Sequence, residues 1–350
     1  ATTGIVTVTV SEGDMTTLAS LATEATDAIT VVVTDARVVA SELIALDAKT
    51  SVTVNAGQVE TLTGTVEELS AYRDAFNAKT ISGKLAYAVV ASDTTDDVAD
   101  LINLADPDVT NFDPDVYLPA LTSMTGSASD VIDFYNLTNV LQNEAGDALG
   151  DEAVTLTDTT LAASVLNSVD TKTTGLIDAS TVTTLTGAAA DMNTAYASAG
   201  LTGLGDEAST LSDVALDAAI LETLVGNTSG AIDATSIVTL TGAASEIIAA
   251  INAGVSFKAD VVINVDEPAS AADISIIAAI TTGAVTATSS TTAVADLLAD
   301  LTTNGTTDDI SITVSDTSAD AADLSAINAL TAAVAADVDL TAVTEITGSA

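Results

Sequence analysis

The sequence predicts an α/β repeat fold: a strand-helix solenoid with a parallel sheet on one side, helices on the other, and a leucine-rich-repeat-like coil length. Three observations predict it. Gly150-Asp-Glu-Ala-Val-Thr-Leu-Thr-Asp158 returns 55 residues later as Gly205-Asp-Glu-Ala-Ser-Thr-Leu-Ser-Asp213, and Thr184-Leu-Thr-Gly-Ala-Ala189 returns at the same offset as Thr239-Leu-Thr-Gly-Ala-Ala244. Runs that alternate apolar residues with Thr, the period of a half-buried strand, stand before Ala- and Leu-rich runs with helical spacing. An apolar-Thr-Gly tripeptide recurs around Thr63, Thr125, Thr186, Thr241 and Thr347, with a decayed copy at Thr291.

In chain order, Ile5, Val6, Val8 and Val10 alternate with Thr7 and Thr9 as a first strand. Further strand-like runs end at Asp35, Asp93, Asp158, Asp213, Asp266 and Asp316. Each Asp is expected to cap a helix, because its carboxylate can accept from the free N–H groups of a first turn. In the clearest unit Val154 to Asp158 is a strand. Leu161 to Val169 is a helix with Leu161, Val165, Leu166 and Val169 on one face, and Leu176 to Ser180 is a short strand. Thr184-Leu-Thr-Gly187 marks a turn or a helix start, and Ala188 to Ala197 is an Ala-rich helix. Ala321 to Ala333 is a second amphipathic helix, with Leu324, Ile327 and Leu330 three apart. Each unit then has two halves of roughly equal length, about 27 residues each, and about a dozen coils stack. Three regions follow: 1–64 as N-terminal coils, 65–149 as diverged repeats or an insertion, and 150–350 as regular repeats.

Composition bounds the function. Seven Lys and Arg stand against 50 Asp and Glu, a net charge of −43, yet only 16% of residues are charged and 48% are hydrophobic. Such a chain has enough apolar side chain to bury a core. Its charge is opposite to that of a nucleic-acid-binding surface. With no Cys and no His, disulfides, thiol nucleophiles, Ser-His pairs and Cys/His zinc sites are excluded. No apolar run is long enough to span a membrane. The acidic, Cys-free composition is expected of a secreted, extracellular or cell-surface protein, and such a surface attracts divalent cations.

The phrases Val154 to Ser164, Thr184 to Ser198 and Gly203 to Ala208 resemble repeats in giant secreted cell-surface proteins of marine cyanobacteria. The resemblance is closest over 150–250. It implies an extracellular structural role and brings no catalytic residues with it.

Candidate sites are few. Asp106, Asp108, Asp113 and Asp115 flank two prolines around Asn111 and form a candidate Ca²⁺ site of carboxylate oxygens. Seven of the nine aromatics (Tyr72, Phe76, Tyr87, Phe112, Tyr117, Phe134 and Tyr135) fall between 70 and 149, as core filler or as a contact surface. Sequons occur at Asn136, Asn227 and Asn304. Ile5, Val6, Val8, Val10, Ile346 and Thr347 are the candidate self-assembly residues, because the sequence enters and leaves the strand pattern without polar capping coils. The expected function is a non-enzymatic structural protein that forms a head-to-tail homopolymer: a surface filament, sheath or layer. The alternative is an adhesin or fibre module whose 70–149 region binds a ligand such as a cell-surface glycan.

Overall fold

The computed structural model describes residues 4–83, 88–105, 114–143, 146–301, 308–331 and 337–348. The chain forms two compact units. One comprises residues 1–158, 168–181 and 200–202; the other comprises 159–167, 182–199 and 203–350. Strands and helices alternate throughout, with 12 helices among the described residues.

The second unit carries the most regular sheet, with strands in the order Thr160–Ala162, Thr184–Gly187, Ala208–Leu211, Ile232–Ala234 and Ser256–Phe257, all parallel. Thr160 lies opposite Thr184, and Thr184 opposite Ala208, so the first two steps across the sheet consume 24 residues each; the next two, Ser209 to Ile232 and Asp233 to Ser256, consume 23. The first two strands run directly into helices, Ala163–Asp170 and Ala189–Ala197. The third runs into another strand, Ala215–Asp217, which starts a second sheet only seven residues after Ala208. The last two strands follow the helices Ala218–Asn227 and Ala244–Asn252. The second sheet is six-stranded and again wholly parallel: Ala215–Asp217, Thr239–Gly242, Val262–Val265, Val285–Thr288, Asp309–Thr313 and Val338–Asp339.

The first unit repeats this plan in two five-stranded parallel sheets. One runs from Arg37–Val39 through Thr61–Gly64, Ala88–Ala91 and Asp115–Tyr117 to Val140–Leu141; the other runs from Thr95–Asp97 through Ser123–Gly126, Ala153–Leu156 and Ile177–Asp178 to Leu201–Thr202. The segment 65–149 thus contributes the same element types in the same order, with steps of 27 residues from Thr61 to Ala88 and 30 from Ser123 to Ala153.

The 55-residue period is therefore not two equal halves. It is two 24-residue circuits plus a seven-residue strand-to-strand step (Thr160 to Thr184 to Ala208 to Ala215). The sequence reading missed the step because the extra strand carries the same apolar/polar alternation as its neighbours.

The Thr-Leu-Thr-Gly motif is a strand at Thr61–Gly64, Thr184–Gly187 and Thr239–Gly242, not a turn or helix start. Leu62, Leu185 and Leu240 are buried and the flanking Thr side chains half-buried, as a period of two requires. The glycine ends the strand: at Gly187 φ is +124°, a conformation other residues rarely adopt. The helix after Thr160–Ala162 begins at Ala163, so Leu161 belongs to a strand; Ala163, Leu166 and Val169 are buried, and Val165 only half-buried. In Ala321–Thr331, Ile327 is buried and Leu324 half-buried.

Helices bury a narrow stripe three residues apart: Ala218, Leu221 and Leu224; Ala244, Ile247 and Ala250; Ala128, Val131 and Phe134. Tyr72 and Phe134 are core residues, fully or almost fully buried. Phe76, Tyr117 and Tyr135 are half-buried, and Tyr87 and Phe112 lie outside the described residues.

Five of the six strand-end aspartates cap helices, but not the ones that follow them. Asp213 accepts from the N–H of Ala189 (2.9 Å), the first residue of a helix 24 residues upstream. Asp35, Asp93, Asp158 and Asp316 do the same for Met15, Val66, Ala128 and Val294 (2.6–2.8 Å). Each carboxylate ties the start of one helix to the end of the neighbouring strand.

Candidate functional site

Two buried carboxylates stand out, and both come from the Gly-Asp-Glu-Ala motif. Glu152 is 0% exposed and Glu207 1% exposed, although ionisable side chains are seldom fully buried without a charged partner. Each sits just before a strand, Ala153–Leu156 or Ala208–Leu211, where the pleat turns its side chain inward. Glu207 accepts from the Tyr196 hydroxyl (3.0 Å, Oε2) and from the N–H of Gly205 (3.0 Å to Oε1, 2.9 Å to Oε2). Glu152 accepts from the Tyr135 hydroxyl and from the N–H of Gly150, both at 2.9 Å and both on Oε2.

A threonine clips each main chain in place. Thr173 and Thr228 donate to the carbonyls of Glu152 and Glu207 (2.8 and 3.0 Å) and accept from the N–H of Gly175 and Gly230. A Cβ on Gly230 would run into that same Glu207 carbonyl, so this position needs glycine. Burial raises the Tyr196 hydroxyl to about 12; the Glu207 charge adds to this and hydrogen bonding to Thr228 opposes it. Tyr135 is raised further, again mainly by burial and then by the charge of Glu152. In the next copy Val261, also fully buried, takes the position of the glutamate, and Thr281 and Gly283 keep the clip. The carboxylate is therefore not what builds the turn. The sequence reading used this motif only as a repeat marker; the signal it passed over is a Tyr upstream of each buried Glu.

The second feature is an open acidic cleft of about 610 Å³, whose lining includes Thr65, Glu67, Asp74, Asp93, Asp96 and Asp100. Asp96 is held above the usual carboxylate range, first by burial and then by repulsion from Asp93, Asp100 and Asp97, while the N–H of Asp97 opposes the shift. Among the described residues no group of three or more acidic side chains is arranged to hold a metal ion. Of the Ca²⁺ candidates, Asp115 is an exposed strand residue; Asp106, Asp108 and Asp113 lie outside the described residues.

Of the self-assembly candidates, Val8, Ile346 and Thr347 fall on two edge strands, and Ile5, Val6 and Val10 flank the first of them. Thr7–Thr9 pairs with Ala28–Thr30, and Glu345–Thr347 with Ser318–Asp320; among the described residues neither has a second partner strand. Ile5 is 71% exposed and Ile346 64% exposed. Val8 and Thr347 are exposed as well, whereas Val6 and Val10 are half-buried and their N–H groups donate to Asp27 and to the Thr30 carbonyl. Asn136 and Asn227 are exposed but already hydrogen-bonded, to Lys172 and Asn193; Asn304 lies outside the described residues. No helix among the described residues is long and apolar enough to cross a membrane. Among known proteins, no family model matches the chain and no curated protein matches its sequence.

Proposed function

We propose that the chain is a non-enzymatic extracellular structural repeat protein that adds to further copies of itself head to tail, as a surface filament, sheath or layer. Within each compact unit the turns stack as a solenoid. Register steps of 21 to 30 residues, from Thr7–Ala28 to Ser123–Ala153, support a coil close to the leucine-rich length of about 20–29.

The observation that carries the reading is that Thr7–Thr9 and Glu345–Thr347 each have, among the described residues, one partner strand and an open edge. An open parallel edge offers unpaired backbone groups to another strand, and strand addition supplies hydrogen bonds along the whole contact. The two edges differ, so their contact is heterologous and grows an open filament where its rotation closes no ring. With a net charge of −43, copies repel one another, and Ca²⁺ or another divalent cation would lower that barrier.

The second reading, an adhesin or fibre module, draws its support from the acidic cleft at Thr65 to Asp100, which falls largely in the 70–149 region. It places ligand binding, including a surface glycan, in that region. Electron microscopy of the purified chain with and without Ca²⁺ separates the two. The structural reading expects filaments or sheets from the chain alone; particles that stay single at high concentration in Ca²⁺ would count against it.

A further inference from the structure

We propose that Asp96 is a proton-responsive latch in the first unit: uncharged, it lets the edge strand Thr95–Asp97 close on its sheet, and ionised, it loosens that strand and the helix Val98–Ala105 that follows. Residue 96 holds a core position. Thr95–Asp97, Thr160–Ala162 and Ala215–Asp217 each begin seven residues after the start of the preceding strand (Ala88, Ala153 and Ala208), and each is the first strand of a sheet. The middle residue of the second is Leu161, opposite Leu185; that of the third is Leu216, opposite Leu240; all four are buried. In the first strand the middle residue is Asp96, opposite the fully buried Met124. The pleat therefore turns a carboxylate to the face where the other two copies bury leucine.

No cation offsets its charge in the cleft. Asp96 is half-buried at the side of the open cleft of about 610 Å³, and every charged residue lining that cleft is acidic: Glu67 and Asp74 from the helix Val66–Asn77, Asp93 before the strand, and Asp100 on the helix after it. The paired strand Ser123–Gly126 carries no charge. Arg73, also on Val66–Asn77, engages Asp74 (3.6 Å) and the carbonyl of Asn103 instead. The N–H of Asp97 donates to Asp96 Oδ1 (2.8 Å), while the Asp97 carboxylate accepts from the N–H of Ala99. Removing an ionised carboxylate from water without a charged partner costs far more than removing the neutral acid. Burial first, then repulsion from Asp93, Asp100 and Asp97, holds the group above the usual carboxylate range, against the opposing N–H of Asp97. For a carboxyl raised in the fold, its stabilising contribution is fully present below the ordinary value of 3.8 and is lost as pH rises through the folded value.

The test is hydrogen exchange of the full chain, read as protection factors at about pH 7 and about pH 5, for the unmodified chain and for Asp96→Leu, which copies Leu161 and Leu216. The strand Ala215–Asp217 and its helix Ala218–Asn227, where leucine already stands, are the internal control. Thr95–Ala105 in the unmodified chain should gain protection severalfold at the lower pH, beyond any gain at the control. Asp96→Leu should be well protected at pH 7 already and should lose that excess. Should the leucine variant fail to fold, Asp96→Asn, neutral and of the same size, should lose the excess as well. If neither variant folds, a carbon-13 titration of the Asp96 carboxyl in the unmodified chain reads the same group and should show it ionising above 3.8. No excess in the unmodified chain, an excess that persists in a variant, faster exchange of Thr95–Ala105 at pH 7 in Asp96→Leu, or ionisation at or below 3.8 would each overturn the proposal.

Discussion

At the residue scale, the account turns on Glu152 and Glu207. Their positions were legible in the sequence as a repeated motif, but their burial was not: in a chain with 50 acidic residues nothing in the composition separates an inward glutamate from a solvated one. The inward register of the strand and a tyrosine on the preceding helix decide it. Two predictions follow at this scale. Glu207→Val leaves the Tyr196 hydroxyl and the Gly205 N–H without their buried acceptor and should lower unfolding free energy by about 1–3 kcal/mol. Adding Tyr196→Phe should recover part of that loss, because Val261 shows that the slot accepts an apolar occupant. Urea unfolding of the two single variants and the double variant measures the coupling. The second concerns pH. The Tyr196 hydroxyl ionises at about 12 in the fold against 10.0 ordinarily, so the folded state resists losing that proton. Its contribution is intact below pH 10 and is lost as pH rises from there through 12. An ultraviolet titration should show one tyrosine ionising near 12 before unfolding, and ordinary titration of all tyrosines in the native protein would contradict this.

At the element scale, the alternation of apolar residues with Thr located the strands, and the spacing of Ala and Leu located the helices. Thr-Leu-Thr-Gly was misread because its glycine resembles turn punctuation, although it closes a strand whose Leu points inward. The aspartates were legible as caps but their targets were not. A cap normally lies within its own helix start, and only stacking of the turns brings Asp213 to Ala189. Asp213→Ala should therefore destabilise the protein by about 0.5–2 kcal/mol. The loss should appear as faster hydrogen exchange at Ala189–Ala197, upstream of the substitution. Faster exchange confined to Ala218–Asn227, the helix that follows Asp213, would show that the cap acts locally instead.

At the scale of the whole molecule, the double period was visible in the sequence, while the seven-residue step from Ala208 to Ala215 that starts the six-stranded sheet was not. That step changes which sheet a strand joins without changing its pattern. Surface charge dominates the remaining behaviour. With 7 basic residues against 50 acidic ones, millimolar Ca²⁺ at constant ionic strength should raise the melting temperature by several degrees, and an unchanged value would remove cations from the account. Assembly is the central claim, and the most direct measurement is electron microscopy with sedimentation of the full chain in Ca²⁺, beside a chain lacking residues 1–10. Those residues hold Thr7–Thr9, which among the described residues pairs through one edge only, with Ala28–Thr30. The account predicts filaments from the full chain and folded, unassembled particles from the shortened one. A full chain that stays monomeric at high concentration, or a shortened chain that still forms normal filaments, would contradict it.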